Sequence, residues 1–172
     1  MGVRTEAALG LGGNLGDPLQ SFVAALHSFA GHPAVELRRF SSVYRTKPWG
    51  IVEQPDFLNM AALLSTDLGE VELLNLCMEI EQASGRERRE RWGPRTLDID
   101  ILTFGELVTD RPSLQLPHPR LAARGFVLVP LAEIAPDLMI GGRSVAALKA
   151  AIETSDVVLD EEETTRLRDA LG

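Results

Sequence analysis

Apolar residues in this chain recur with two different spacings, and the points where one spacing gives way to the other mark most of its elements. Residues 6–11 are short and almost wholly apolar and run into Gly12-Gly13-Asn14-Leu15-Gly16-Asp17-Pro18, the pattern of a buried strand followed by turn chemistry. Leu19, Phe22, Val23, Leu26 and Phe29 then recur at intervals of three and four. That spacing predicts a helix capped by Asp17, with Pro18 in its first position and Gly31-His32-Pro33 as its stop. Across residues 35–43, Val35, Leu37 and Val43 lie broadly on one side and Glu36 and Arg38 on the other, predicting a strand that leaves through Tyr44-Arg45-Thr46. Residues 47–55 hold two prolines and a glycine and form a loop too long for a simple hairpin turn. Long loops tend to carry function.

Residues 57–64 are a near-continuous apolar run broken by one polar residue, Asn59, as in a buried strand. A helix follows, capped at Asp67 or a neighbour and running through Ser84 to Gly85, with Val71, Leu74, Cys77, Met78 and Glu81 expected on one face. Residues 96–104 alternate with period two, the clearest strand signal in the sequence. Residues 112–119 form a proline-punctuated connector, and helical spacing returns at 126–134 and 145–152. The order strand, helix, strand, strand, helix, strand, then helices predicts an α+β fold. Two βαβ-like halves in this order suggest a ferredoxin-like α/β sandwich with a central antiparallel sheet and helices on both sides.

Composition narrows this further. The 172 residues, 45% of them hydrophobic, suit one domain, expected over residues 1–155 with 156–172 as an acidic C-terminal tail. That tail has six acids, Asp156, Asp160, Glu161, Glu162, Glu163 and Asp169, against Arg166 and Arg168. No apolar stretch is long enough to span a bilayer, and the first residues lack the apolar segment of a signal peptide, so a cytoplasmic protein without membrane partners is expected. The one cysteine, Cys77, lies in an apolar-periodic run and is expected to be a small buried hydrophobe. A net charge of −8 argues against nucleic acid as a partner, since neutralising a phosphate backbone needs a basic face. Within this acidic chain, Arg86, Arg88, Arg89, Arg91 and Arg95 form one strongly positive segment suited to an anion.

The candidate chemistry follows from that contrast. Side chains two apart on a strand share a face, so Asp98 and Asp100 present two carboxylates together, with Leu97, Ile99 and Ile101 facing the other way. Taken alone, the pair fits a solvated strand face as well as a cation site. Hard oxygen donors of this kind suit Mg²⁺, which keeps water and substrate phosphates among its ligands, and the preceding arginines would balance such phosphates. Equally, Glu87 and Glu90 could pair those arginines on a solvated loop. His118, between Pro117 and Pro119, fits a phosphate contact or a structural role. Asn59 must find partners if buried, either in a loop or along the polar edge of a ligand. Trp49 is a large aromatic in a proline and glycine loop, whereas Phe57 and Phe126 are core residues by default. The glycines at 12, 13 and 16 match neither a Walker loop nor a dinucleotide fingerprint.

Several stretches carry a family likeness: 10–17, 41–50, 54–59, Arg91-Trp92-Gly93-Pro94-Arg95-Thr96-Leu97-Asp98-Ile99-Asp100-Ile101, Leu116-Pro117-His118-Pro119, and 124–136. Through these, from about residue 7 to residue 140, the chain resembles the 6-hydroxymethyl-7,8-dihydropterin pyrophosphokinases of folate biosynthesis. The resemblance implies diphosphate transfer from ATP to the pterin alcohol, with AMP as the other product. Asp98 and Asp100 would bind two Mg²⁺ ions. Arg86 and Arg95 would join them as catalytic residues, and Arg88, Trp92, Ile101, His118 and Arg124 would contact ATP. Phe57 and Phe126 would sandwich the pterin ring, with Asn59 and the backbone of Thr46, Pro48 and Trp49 reading its polar edge. Small molecules would be the only partners, and a monomer is expected.

Two other readings follow from the residues. The same acid pair could serve another Mg²⁺-dependent nucleotidyl or phosphoryl transferase acting on a different acceptor; ADP as the nucleotide product would exclude diphosphate transfer to the pterin. The fold also hosts ligand sensors and RNA-binding modules. RNA binding would call for a basic sheet face with exposed aromatics, where this sequence places Asp98 and Asp100.

Overall fold

A computed structural model describes residues 3–48, 53–85 and 96–172. In chain order its elements are β1 (Thr5–Gly13), α1 (Pro18–Gly31), β2 (Val35–Phe40), β3 (Tyr44–Thr46), β4 (Phe57–Thr66), α2 (Glu70–Ala83), β5 (Asp98–Phe104), β6 (Thr109–Arg111), β7 (Leu114–Leu116), α3 (Gly125–Ile134), β8 (Met139–Ile140), β9 (Arg143–Ser144), α4 (Val145–Ala150), β10 (Val158–Leu159) and α5 (Glu161–Leu171). The main sheet runs β10-β3-β4-β1-β5, and β2 pairs with the far end of β4. All its pairings are antiparallel. Along β2, β4, β1 and β5 this is the strand order of a ferredoxin-like sandwich, as the element order predicted.

The sheet is covered on both faces because its strands alternate between two cores. Ala7, Leu9 and Leu11 of β1, Leu58 to Leu64 at even positions of β4, and Ile99 and Ile101 of β5 face one layer, where they meet Phe22, Leu26 and Phe29 of α1, Cys77 of α2 and Leu167 of α5. Ala8, Ala61, Leu63 and Leu102 face the other layer, against Leu128 and Leu131 of α3 and Val145 and Leu148 of α4. Cys77 is fully buried, as expected, and burial pushes its thiol up to about 12, so it stays protonated.

Several local expectations are corrected. The cap of α2, expected at Asp67 or a neighbour, is Gly69, with the Glu72 carboxylate accepting from the Gly69 N–H at 3.1 Å. Its buried stripe is Leu73, Cys77, Ile80 and Glu81, which leaves Val71 and Met78 exposed. The proline-punctuated connector is partly strand: β7 lies within it and pairs with β6, just before it, as a hairpin. Gly12 and Gly13 end β1 instead of forming the turn, where Gly16 alone takes a positive φ, of 71°. The acidic stretch 156–172 is integrated: β10 pairs with β3, and α5 buries Leu167 and Thr164. No helix among the described residues is long and apolar enough to cross a membrane.

Candidate functional site

On the α3 side the cover of the sheet is incomplete around the middle of β1. Gly10 and Gly12 of β1 are partly exposed, although β1 is flanked by β4 and β5 and its Leu9 and Leu11 are buried. With no side chains at these two positions, solvent reaches the strand. The pairing registers set Asn59 of β4 opposite Gly12 on one side and Asp98 of β5 opposite it on the other, and Asp100 opposite Gly10. One row across three strands is therefore Asn59, Gly12, Asp98. A Cβ at Gly12 would lie 3.3 Å from Asn59 Oδ1, so the glycine keeps this row clear.

Asp98 is half-buried and Asp100 exposed, and alternation puts both on the open face while Ile99 and Ile101 go into the opposite core. Two further contacts set the line of β5. Glu81 of α2, only 7% exposed, accepts from the Ile99 N–H at 3.0 Å, between the two aspartates. A register shift then leaves Leu102 without a partner on β1, and its carbonyl instead accepts from His118 N–H at 2.9 Å. Glu81, Gly10 and Gly12 were not singled out as site residues by sequence reasoning. For the glycines, their position at the end of an apolar strand was the available signal.

His118 follows a cis Leu116–Pro117 peptide and is half-buried. Its Nδ1 accepts from Arg120 N–H at 3.2 Å, which assigns the proton to Nε2 as a donor. Burial holds its pKa below the usual imidazole value, helped by Arg124 and Arg120, while Asp100 pulls the other way. The Asp100 charge also acts on Arg124, so these three groups form one electrostatic neighbourhood. The Arg124 guanidinium stands 5.4 Å from the centroid of the Phe126 ring.

On the other side of the row, Asn59 Nδ2 donates to Thr46 Oγ1 at 3.0 Å, both residues being buried, while Asn59 Oδ1 faces Gly12. Phe57 shares the Asn59 face by alternation, and Phe126 sits in the first turn of α3, which covers that face. Both rings are half-buried rather than core. Asn14, in the middle of the glycine motif, is buried and donates to Gln54 Oε1 at 2.9 Å and to the Pro55 carbonyl at 2.8 Å, tying the turn after β1 to the end of the 47–55 loop. Thr46 is buried, Pro48 half-buried, and Ile101 buried on the opposite face from Asp100. An ATP contact by Ile101 would thus come from its backbone. Trp49, Arg86, Arg88, Trp92 and Arg95 lie outside the described residues.

A family model described as 7,8-dihydro-6-hydroxymethylpterin-pyrophosphokinase matches residues 8–136. The chain belongs to this family. A protein of Methylorubrum extorquens named 2-amino-4-hydroxy-6-hydroxymethyldihydropteridine pyrophosphokinase is 46% identical over 154 residues, covering 89% of this chain and 97% of the relative. The protein of that name from Pseudomonas aeruginosa is also 46% identical, over 142 residues, covering 82% of this chain and 88% of its own. Among solved structures, an HPPK-DHPS in complex with substrates superposes with a TM-score of 0.69 at 12% identity, which shows the shared fold. It covers 87% of this chain, which spans 43% of that longer one. The pyrophosphokinase family match takes in Gly10, Gly12, Asn59, Glu81, Asp98, Asp100, His118 and Phe126, whereas α4, β10 and α5 lie beyond it.

Proposed function

We propose that this chain transfers a diphosphate group from ATP to 6-hydroxymethyl-7,8-dihydropterin, releasing AMP and supplying the pterin diphosphate for folate biosynthesis. Beyond family membership, the observation that carries the reading is the row Asn59, Gly12, Asp98: an amide suited to a heterocycle edge and a carboxylate suited to a metal, on either side of a strand position with no side chain. A pterin ring reading the Asn59 amide would extend its hydroxymethyl group over Gly12 toward Asp98 and Asp100.

The donor set fits magnesium. No group of three or more His, Cys, Asp or Glu side chains that could hold a metal occurs among the described residues, so Asp98 and Asp100 would act as an open pair, the arrangement Mg²⁺ accepts when phosphates and water complete its shell. Two such ions, when bound, would neutralise charge on the ATP phosphates.

The chain's own residues do the rest. Phe57 and Phe126 hold the ring flat, and Thr46, through its bond to Asn59 Nδ2, turns the amide oxygen toward the site. His118 Nε2 donates to a phosphate oxygen as a neutral imidazole and Arg124 adds its charge there, while Arg86, Arg88, Trp92 and Arg95 keep the contacts to ATP or the transferred group that the family resemblance implies for them. No side chain is needed as a covalent carrier: in-line attack by the pterin hydroxyl on the β-phosphorus forms one P–O bond as the bond to AMP breaks, and the hydroxyl proton passes to solvent. Positioning and charge stabilisation supply the acceleration. Action as a cytoplasmic monomer belongs to the same proposal, and sedimentation at working concentration tests the monomer. Incubation with ATP, Mg²⁺ and the hydroxymethyl dihydropterin should yield AMP and a diphosphorylated pterin. ADP as the nucleotide product would overturn the reading.

A further inference from the structure

We infer that the C-terminal segment 153–164, which lies beyond the matched family region, is a positioning element for the pterin side of the site, acting through Asp160 on β3. This rests on the proposed roles of Thr46, Asn59 and Phe126. The strand that presents Thr46 is only three residues long, and β4 covers just one of its edges. The other edge is taken by the C-terminal segment. Val158 and Leu159 pair with Arg45 and Tyr44, Asp160 N–H donates to the Val43 carbonyl at 2.9 Å, and Thr164 Oγ1 accepts from Val43 N–H at 2.9 Å. A short strand held on one side would fray; held on both, it fixes the backbone that leads into Thr46.

Asp160 joins these contacts to one another. One carboxylate oxygen accepts from Glu163 N–H at 3.0 Å and caps α5, while the other accepts from Arg45 Nη2 at 2.7 Å and Nε at 3.0 Å. The helix behind it is anchored by fully buried Leu167 and by Arg166, 3.6 Å from Asp17 at the cap of α1. The same segment also reaches α3. A Cβ at Gly125 would stand 3.4 Å from Val157 Cγ2 and 3.5 Å from the Glu153 carbonyl, so the segment packs directly against the residue preceding Phe126. One stretch of chain thus braces the backbone beside both Thr46 and Phe126.

Deleting α5 would expose the core around Leu167, so point substitutions are the cleaner test. Asp160→Asn keeps a capping side chain and removes the charge facing Arg45; Arg45→Gln removes the other partner. Each should raise KM for the hydroxymethyl dihydropterin about threefold to fivefold, the size of a partly exposed ion-pair coupling, with KM for ATP and the melting temperature nearly unchanged. The double variant should be no worse than either single one. Amide hydrogen exchange of the peptide covering residues 43–48, measured without substrates, should accelerate in Asp160→Asn. Unaltered pterin KM would overturn the inference, as would equal effects on both substrates. Faster exchange with no pterin effect would also overturn it. If the wild-type protein makes no pterin diphosphate while exchange still responds, the functional reading fails and the bracing of β3 stands as a structural result alone.

Discussion

Glu81 offers the sharpest test of how the acid pair is held. Its carboxylate is buried in the helix layer and accepts from the backbone of Ile99, the one residue between Asp98 and Asp100. Glu81→Leu preserves bulk and removes the acceptor, leaving a buried N–H unsatisfied at a cost of about 1–3 kcal/mol. Glu81→Gln keeps an oxygen in reach and loses only the charge-assisted part of the bond, about 1 kcal/mol. Urea unfolding should therefore rank the two variants below the wild type, with leucine the lower. The functional expectation is more specific than the stability one. If Ile99 shifts, both carboxylates shift with it, so the Mg²⁺ concentration giving half-maximal turnover should rise several-fold in Glu81→Leu and less in Glu81→Gln, at temperatures where both remain folded. A leucine variant with lowered stability but an unaltered Mg²⁺ profile would refute the idea that this hydrogen bond positions the aspartates. Unaltered stability as well would refute the energetic argument.

Asp98→Asn and Asp100→Asn should each lower turnover at saturating ATP by at least about a hundredfold while leaving pterin binding measurable by fluorescence; near-normal turnover in Mg²⁺ would remove the metal role. Gly12→Ala would place a methyl 3.3 Å from Asn59 Oδ1 in the open row, so pterin affinity should fall by about tenfold or more with ATP binding spared, as paired calorimetric titrations would show. Tyr44, the only tyrosine, donates to Glu133 at 2.6 Å, and burial followed by the Glu133 hydrogen bond and charge raises its pKa far above the usual phenol value. A group raised in the folded state stabilises the fold below its unfolded pKa of about 10 and loses that contribution as pH climbs through the folded value. Absorbance at the tyrosinate band should accordingly stay flat through pH 10 in the folded protein and rise earlier in Glu133→Gln; an ordinary titration in the wild type would contradict this.

What could be read from the sequence depended on whether the information was local. Asp98 and Asp100 were legible because alternation over a few residues decides which way they point, and the element order gave the sheet because each long strand and helix carries its own periodicity. Glu81 was assigned to a face, but with Val71, Leu74 and Met78; α2 has apolar residues on more than one side, so spacing alone could not choose the stripe that Leu73 and Ile80 complete. Its partner, the Ile99 N–H, is a tertiary contact that no pattern announces. The open row over Gly12 needed the registers of two pairings at once. The C-terminal segment shows the limit most clearly. Its composition marked it only as an acidic tail, with six acids against two arginines in residues 156–172. Yet a helix needs only a narrow inward stripe, and Thr164 and Leu167, three apart, provide it while Glu161, Glu162 and Asp169 stay outside. Two of the other acids are specific: Asp160 caps the helix and grips Arg45, and Glu163 pairs with Arg166. Net charge therefore described the surface of α5 and said nothing of the edge it covers, because strand pairing is made by backbone groups that every residue carries.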